Sequence, residues 1–169
     1  IKDIIKLPVE VHLMVSNPEK NIEQFSKHNV EIITFHYEST DNHNSIINLI
    51  KSKGLKVGIA LNPLTDVENI YDFIGMIDRV LMMSVDPGFS GQKFNLNTPK
   101  KIKILRDYLD NLNLDKTIDI SVDGGINNSN IKQCKDAGAN IFVSGSSIFW
   151  NGNIKSNIMS LMSSLEIKK

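Results

Sequence analysis

Six apolar segments of five to seven residues alternate along the chain with six amphipathic stretches of about ten residues. The apolar segments are rich in β-branched residues and lack a strict polar–apolar alternation, which is typical of parallel strands buried on both faces. We predict strands at Val9–Met14, Ile32–Tyr37, Lys56–Leu61, Arg79–Val85, Ile118–Asp123 and Ile141–Gly145. We predict helices at Glu19–His28, Asn44–Lys53, Asp66–Ile74, Pro99–Leu109, Ser129–Ala137 and Ile154–Leu165.

This strand–helix repeat requires parallel pairing, because each crossover helix returns the chain to the same end of the sheet. Both an open doubly wound α/β sheet and a (β/α)8 TIM barrel satisfy that requirement. The repeat of roughly 22 to 24 residues is short and uniform, which favours the barrel. A barrel has eight units, and six are recognisable here. We therefore expect residues 1–169 to form a single domain, six βα units of a barrel whose first two units are absent from this chain.

The charge balance excludes several classes of partner. Lys and Arg total 19, as do Asp and Glu, so the net charge is zero and no basic field attracts nucleic acid or a membrane surface. No apolar run approaches the ~18 to 20 residues of a membrane-spanning helix, and we see no signal peptide. The one cysteine, Cys134, is expected to be a buried thiol, and such sparse cysteine usage predicts a cytoplasmic location.

The chemically distinctive residues fall at the ends of the predicted strands. His12 and Met14 end the first strand, Met83 the fourth and Asp123 the fifth. In a barrel the carboxyl ends of the strands meet at one rim, where active sites lie. A histidine and an aspartate from different strands can be metal ligands there, and a buried His–Asp hydrogen bond is the simpler alternative. We expect His36, which ends the second strand, to be a hydrogen-bonded core histidine.

Three strand ends lead into loops of small residues: PGFSG at Pro87–Gly91, DGG at Asp123–Gly125 and SGSS at Ser144–Ser147. Backbone N–H groups at a helix N-terminus bind anions, and the last two loops precede the N-termini of helices. The loops after strands 7 and 8 are the usual phosphate site of such barrels. We therefore predict that the Pro87–Gly91 loop covers a phosphate. The alternative is that these glycines only make tight strand-to-helix turns.

In order and spacing, six segments spanning the whole chain resemble the ribulose-phosphate 3-epimerase family. They are VHLMV (Val11–Val15), ITFHYE (Ile33–Glu38), KVGIALNPLT (Lys56–Thr65), LMMSVDPGFSGQKF (Leu81–Phe94), VDGGINNSNI (Val122–Ile131) and AGANIFVSGSSIF (Ala137–Phe149). The resemblance implies a barrel of the ribulose-phosphate-binding type. It also implies interconversion of D-ribulose 5-phosphate and D-xylulose 5-phosphate at C3, through an enediolate, in the pentose phosphate pathway. Family members are commonly homo-oligomers.

The resemblance further implies one divalent metal ion (zinc, iron, manganese or cobalt) held by two histidines and two aspartates. His12 matches the histidine of the HLM motif, and Asp123 matches the aspartate of VDGG. In the family this aspartate is also one of two catalytic acid–base groups. The other histidine and aspartate belong to an HLDVMDG-type motif that this sequence lacks. We therefore expect this chain to lack part of the active site.

The remaining matches concern the substrate. Met14 and Met83 match methionines that line the site. The substrate and phosphate contacts that the resemblance implies are His12, Gly88, Phe89, Ser90, Gly91, Gly124, Gly125, Gly145 and Ser146. Glu10 stands where aspartate is usual in the family, and Ser90 replaces a glycine.

Three alternatives remain open at the level of sequence. The DPGF segment also resembles D-allulose-6-phosphate 3-epimerases, although Gly125 and the SGSSIF run favour the pentose enzyme. A catalytically incomplete chain that only binds phosphate would keep the small-residue loops without the metal site. Other phosphate-binding barrels, such as decarboxylases or an indole-pathway isomerase, need a lysine at the strand ends, and none is expected here.

Overall fold

The computed structural model describes residues 6–88, 91–114 and 117–165. The strands of this part are β1 (Glu10–Leu13), β2 (Ile32–His36), β3 (Lys56–Leu61), β4 (Arg79–Met83), β5 (Asp119–Asp123) and β6 (Ile141–Val143). The α-helices are α1 (Glu19–Phe25), α2 (His43–Ser52), α3 (Thr98–Asn111), α4 (Ile131–Asp136), α5 (Ser146–Phe149) and α6 (Ile154–Leu165). Segments of 3₁₀ helix occupy Tyr37–Ser39 and Val67–Met76. Within the described ranges, no helix is both long enough and apolar enough to cross a bilayer.

The six strands form one parallel sheet in which each strand pairs with the next along the chain. A doubly wound sheet instead reverses its strand order at a switch point. The strictly sequential order is that of a barrel wall, and it confirms the predicted partial (β/α)8 architecture of six units. The predicted strands agree with the observed ones to within a residue or two at their ends.

Side chains crossing the inside of the sheet show that it curls. Arg79 on β4 donates to Glu10 on β1 at 2.5 Å and to Asp119 on β5 at 3.0 Å. The hydroxyl of Thr34 on β2 donates to the other oxygen of Glu10 at 2.6 Å. Because two strands separate β1 from β4, Arg79 and Glu10 touch only if the sheet bends toward the barrel axis. Glu10, the residue that departs from the family pattern, therefore has a partner across the interior.

The main core lies between the outer face of the sheet and the helices. Along β2, Ile33 and Phe35 are fully buried in this core, whereas Thr34 and His36 contact β1 on the inner face. Core side chains on the helices include Ile47 and Ile50 of α2 and Ile102, Leu105 and Leu109 of α3. Because both faces of the strands are covered, their sequences lack a clean alternation.

The third predicted helix, Asp66–Ile74, is wrong in type and bounds, because the structure has a 3₁₀ segment at Val67–Met76. Val67, Ile70 and Phe73 recur every three residues, and all of them pack on the core. A spacing of three matches the 3.0 residues per turn of a 3₁₀ helix. A nine-residue window does not separate that period from 3.6, so the sequence pattern alone favoured an α-helix.

We predict that Arg79→Met lowers the free energy of unfolding by about 2 kcal/mol or more, because Glu10 and Asp119 lose their counter-charge in a half-buried interior. The Arg79 side chain is 16% exposed. Urea denaturation measures the change. The matched control is Lys103→Met, which removes a largely exposed pair with Asp107 and should change stability by less than about 0.5 kcal/mol. Equal losses in the two variants would contradict this role of Arg79.

Candidate active site

The carboxyl ends of β1, β4, β5 and β6 surround a cavity of about 340 Å³. Its wall includes most of the residues that the sequence analysis singled out: Met14, Met83, Gly88, Gly91, Asp123, Gly124, Gly125, Gly145 and Ser146. Gln92, Ile126 and Val143 also line it and were not anticipated, because nothing in their local sequence marks them. The predicted residues Phe89 and Ser90 lie outside the described residues.

His12 from β1 and Asp123 from β5 approach each other at this rim. The distance from His12 Nδ1 to Asp123 Oδ2 is 3.9 Å, and the side chains are 16% and 24% exposed. That distance is too long for a hydrogen bond, so the simpler alternative of a direct His–Asp bond does not describe the pair. Two ligand-type atoms thus face one another without a bond between them.

The pKa values of Asp123 and His12 are both shifted in the direction that favours the neutral side chain. Burial raises the pKa of Asp123, the nearby Glu10 adds to the rise, and the backbone N–H of Gly124 opposes it. Burial, followed by the neighbouring His36 ring, lowers the pKa of His12 to about 4. Charge is costly in such a half-buried rim. A carboxylate whose pKa is raised is a better proton acceptor, which suits acid–base chemistry.

A second pair of polar side chains lies behind His12. The His36 ring stacks on His12 with centroids 4.9 Å apart, and their Nε2 atoms are 2.8 Å apart. Glu38 Oε2 lies 3.4 Å from His36 Nδ1. The other oxygen of Glu38 accepts the backbone N–H of Asn62 at 2.9 Å and the hydroxyl of Thr65. His36 is thus the hydrogen-bonded core histidine that was expected.

Sequence reasoning missed the role of Glu38. It follows β2 within the Tyr37–Ser39 3₁₀ turn, so alternation along the strand does not fix where its carboxylate lies. Its two-residue spacing from His36 was the available signal. Glu38, His36, Met14 and Asn62 line a second cavity of about 330 Å³. This cavity and the first share Met14 and the Pro87–Gly88 segment, so the two form neighbouring parts of one rim.

The resemblance implies a metal ion, and His12 and Asp123 at the rim offer atoms that could bind one. An imidazole nitrogen and a carboxylate oxygen are ligands of zinc and of manganese. Across the ranges described, no cluster of three or more His, Cys, Asp or Glu side chains is arranged to hold an ion. His12 and Asp123 fit a divalent ion in the type of their ligand atoms, and the resemblance implies that they would be two of its four ligands.

The packing around the DGG loop requires glycine at position 124, whether or not a ligand binds there. Gly124 has a φ of +111°, and a Cβ there would lie 2.6 Å from Val85 and 2.8 Å from the Ser84 hydroxyl. Ser84 is fully buried and donates to the main-chain carbonyls of Asp123 and Gly124. Close packing by itself therefore requires glycine at position 124, because the residue lets the loops after β4 and β5 pack together.

The helix that follows DGG is α4, which begins at Ile131, two residues after the predicted start at Ser129. The intervening turn is held by Asn127 and Asn130, whose side chains both donate to the carbonyl of Gly125 at 3.0 Å. Asparagine side chains stabilise such turns in competition with a helix. The Gly145 loop does lead directly into α5, which is only four residues long.

The profile of the family described as ribulose-phosphate 3 epimerase matches residues 1–149. The chain belongs to the ribulose-phosphate 3-epimerase family. The structure places His12, Asp123 and the small-residue loops at one rim, and all of these positions lie within the matched range.

Curated relatives of the family are similar over most of the chain. The ribulose-phosphate 3-epimerase of Buchnera aphidicola subsp. Baizongia pistaciae is 46% identical over 149 residues, which are 88% of this chain and 64% of that protein. The Bacillus subtilis enzyme of the same name is 36% identical over 164 residues, covering 97% of this chain and 75% of its own length. The chain thus spans just under two thirds of the length of the Buchnera relative.

Solved structures share the fold at low sequence identity. A 3-hexulose-6-phosphate synthase superposes with a TM-score of 0.70 at 16% identity, covering 94% of this chain and 73% of its own. A structure of KGPDC from Streptococcus mutans gives 0.72 at 10% identity, covering 95% of this chain and 73% of its own. At such identities the likeness supports the barrel fold alone.

We predict that Gly124→Ala lowers the free energy of unfolding by about 2 kcal/mol or more, because the new Cβ meets Val85 and the backbone is strained. Thermal or urea unfolding measures the loss. Gly75→Ala is the matched control, since Gly75 has an ordinary φ and an added Cβ meets nothing within 4 Å. The control should change stability by less than about 0.5 kcal/mol. A stability loss in Gly124→Ala as small as that of the control would contradict the close packing of the two loops.

The Glu38 carboxylate should make the stability of the protein depend on pH. Burial alone would raise its pKa, but the neighbouring His36 ring, the Thr65 hydroxyl and the backbone N–H of Asn62 outweigh burial and lower it from 4.5 to about 2. A depressed pKa adds stability above the unfolded value near 4.5, and this is lost as the pH falls toward 2. The stability difference between wild type and Glu38→Gln should therefore be constant above about pH 5 and shrink below it. Urea titrations at several pH values test this, and a constant difference down to about pH 2.5 would contradict it.

Proposed function

We propose that this protein catalyses a metal-dependent epimerisation at C3 that interconverts D-ribulose 5-phosphate and D-xylulose 5-phosphate through an enediolate. One observation carries the proposal. A half-buried aspartate with a raised pKa stands beside an imidazole nitrogen on the wall of a cavity whose other walls are small-residue loops. Membership of the family supports the same reaction.

The proposed chemistry begins with the proton on C3, which the neighbouring C2 carbonyl acidifies. The Asp123 carboxylate accepts this proton on one face, and the electrons of the C–H bond pass into the enediolate. Return of a proton to the opposite face of C3 gives the epimer, so a second acid–base group is needed there. By resemblance that group is the aspartate of an HLDVMDG-type motif, which is not found in residues 1–169.

His12 and Asp123 are the residues of this chain that would hold the divalent ion. When bound, such an ion offsets the negative charge that develops on the enediolate oxygens. Met14 and Met83 line the cavity with apolar side chains and limit the access of water to the reacting carbon. We propose zinc, iron, manganese or cobalt as the metal.

The small-residue loops are proposed to receive the phosphate. Gly88 and Gly91 have positive φ values of 109° and 81° with open space around them, so here conformation rather than packing requires glycine. Gly145 and the exposed Ser146 line the same cavity. Main-chain N–H groups and the Ser146 hydroxyl are suitable donors to an anion. We also propose a cytoplasmic homo-oligomer acting on free sugar phosphates.

Asp123→Asn should lower kcat by about 10²-fold or more, because an amide does not accept the C3 proton. The assay follows exchange of the C3 hydrogen with solvent deuterium, with D-ribulose 5-phosphate and added Mn²⁺. The control is Asp107→Asn, a largely exposed carboxylate on α3, which should leave the rate unchanged. Exchange of the C3 hydrogen at the wild-type rate in Asp123→Asn would show that Asp123 does not accept the C3 proton.

The same assay separates the alternatives. Faster turnover of D-allulose 6-phosphate than of the pentose phosphate would assign the hexose substrate instead. Binding of the sugar phosphate without any exchange at C3 would show that the chain binds phosphate but does not catalyse epimerisation.

A further inference from the structure

Four polar side chains form a continuous line across the rim. Asp123 Oδ2 is 3.9 Å from His12 Nδ1, and His12 Nε2 is 2.8 Å from His36 Nε2. His36 Nδ1 in turn is 3.4 Å from Glu38 Oε2. The line joins β5, β1 and β2 through two stacked imidazole rings. Because each neutral imidazole has one N–H and one bare nitrogen, the state of one ring determines that of the next.

Two hydrogen bonds fix the orientation of the Glu38 carboxylate at one end of this line. Its Oε1 accepts the backbone N–H of Asn62, a donor whose direction does not change, and the hydroxyl of Thr65. Its Oε2 therefore faces His36. A carboxylate only accepts hydrogen bonds, and the His36 side chain is 6% exposed with no well-formed hydrogen bond to Nδ1 within the described ranges.

A bare lone pair on His36 Nδ1 would point at that carboxylate and repel it, so the hydrogen belongs on Nδ1. At about pH 8, where an ordinary histidine is neutral, His36 then carries its lone pair on Nε2. His12 Nε2, at 2.8 Å, must donate to it. The hydrogen of neutral His12 is therefore on Nε2, and its Nδ1 is bare.

We propose that Glu38 and His36 are positioning residues that hold His12 in the Nε2–H tautomer, with the bare Nδ1 beside the Asp123 carboxylate. Two acceptors 3.9 Å apart then face one spot, which suits a divalent cation. The tautomer assignment is independent of the reaction, whereas its use in holding a metal rests on the proposed function.

An isosteric variant gives a sharp test. In Glu38→Gln, the amide oxygen stays with the backbone N–H of Asn62, so the amide nitrogen faces His36 Nδ1 and donates to it. His36 then carries its hydrogen on Nε2 and donates to His12. The hydrogen of His12 moves to Nδ1, which points at Asp123. One substitution thus reverses the tautomers of both histidines.

Long-range ¹H–¹⁵N NMR of the histidine rings reads these states directly, because protonated and bare ring nitrogens have well-separated shifts. At about pH 8, where ordinary histidines are neutral, wild type should show His12 protonated on Nε2 and His36 on Nδ1. Glu38→Gln should show the reverse for both. Glu68→Gln, an exposed carboxylate of the 3₁₀ segment, is the control and should match wild type. Wild-type His12 protonated on Nδ1, or a Glu38→Gln variant with unchanged tautomers, would overturn the assignment.

A second variant covers the case in which Glu38→Gln does not fold. His36→Phe keeps a ring against His12 but removes the acceptor for its Nε2–H, so His12 should become a mixture of tautomers. His43→Phe is its control, since His43 contacts the ring and the main-chain carbonyl of Tyr37 rather than the His12 ring. A single unchanged His12 tautomer in His36→Phe would overturn the proposal.

Titration with Mn²⁺ alone tests the consequence for the site without any assay of activity. Paramagnetic broadening of the His12 ring signals should require about 10-fold more Mn²⁺ in Glu38→Gln than in wild type, because an N–H group then faces the ion. Equal Mn²⁺ requirements, or no broadening in wild type, would overturn the positioning role. Reversed tautomers together with absent epimerase activity would leave this inference standing and refute the proposed function instead.

Discussion

The Arg79 guanidinium, bonded to Glu10 and Asp119 across the inside of the sheet, is the interaction on which the site geometry depends. Main-chain hydrogen bonds join only neighbouring strands, and they are equally compatible with a flat sheet. Arg79 joins strands that are not neighbours and so fixes curvature. The inner layer has little spare room beside it, since a Cβ on Gly58 would clash with the Thr34 hydroxyl.

The functional rim depends on that curvature. His12 and Asp123 belong to β1 and β5, which three other strands separate in the sheet order, and they meet only because the sheet bends. The same inner face carries the Arg79 pairing at the start of the strands and the His12 line at their carboxyl ends. Glu10 connects the two layers, because it pairs with Arg79 and also contributes to the raised pKa of Asp123.

Much of this arrangement followed from the sequence, since strand periodicity and the placement of His12 and Asp123 at strand ends predict a barrel and its rim. The failures have two physical origins. Asp66 to Ile74 was assigned the wrong kind of helix because a short segment does not distinguish two close periods. Glu38 was missed because it lies in a turn, where the direction of a side chain depends on contacts with residues 62 and 65 that are distant in sequence.

The hydrogen bond that Glu38 accepts from the main chain of Asn62 limits which mutations can change this site during evolution. The fixed donor is the main-chain amide of Asn62, so every substitution at that position retains it except proline, which has no N–H. Most substitutions at position 62 therefore leave unchanged the direction in which His36 and His12 donate their hydrogen bonds. A mutation that reverses this direction would have to change Glu38 itself. Glu38→Gln is such a change, and it replaces only one oxygen atom with one nitrogen atom.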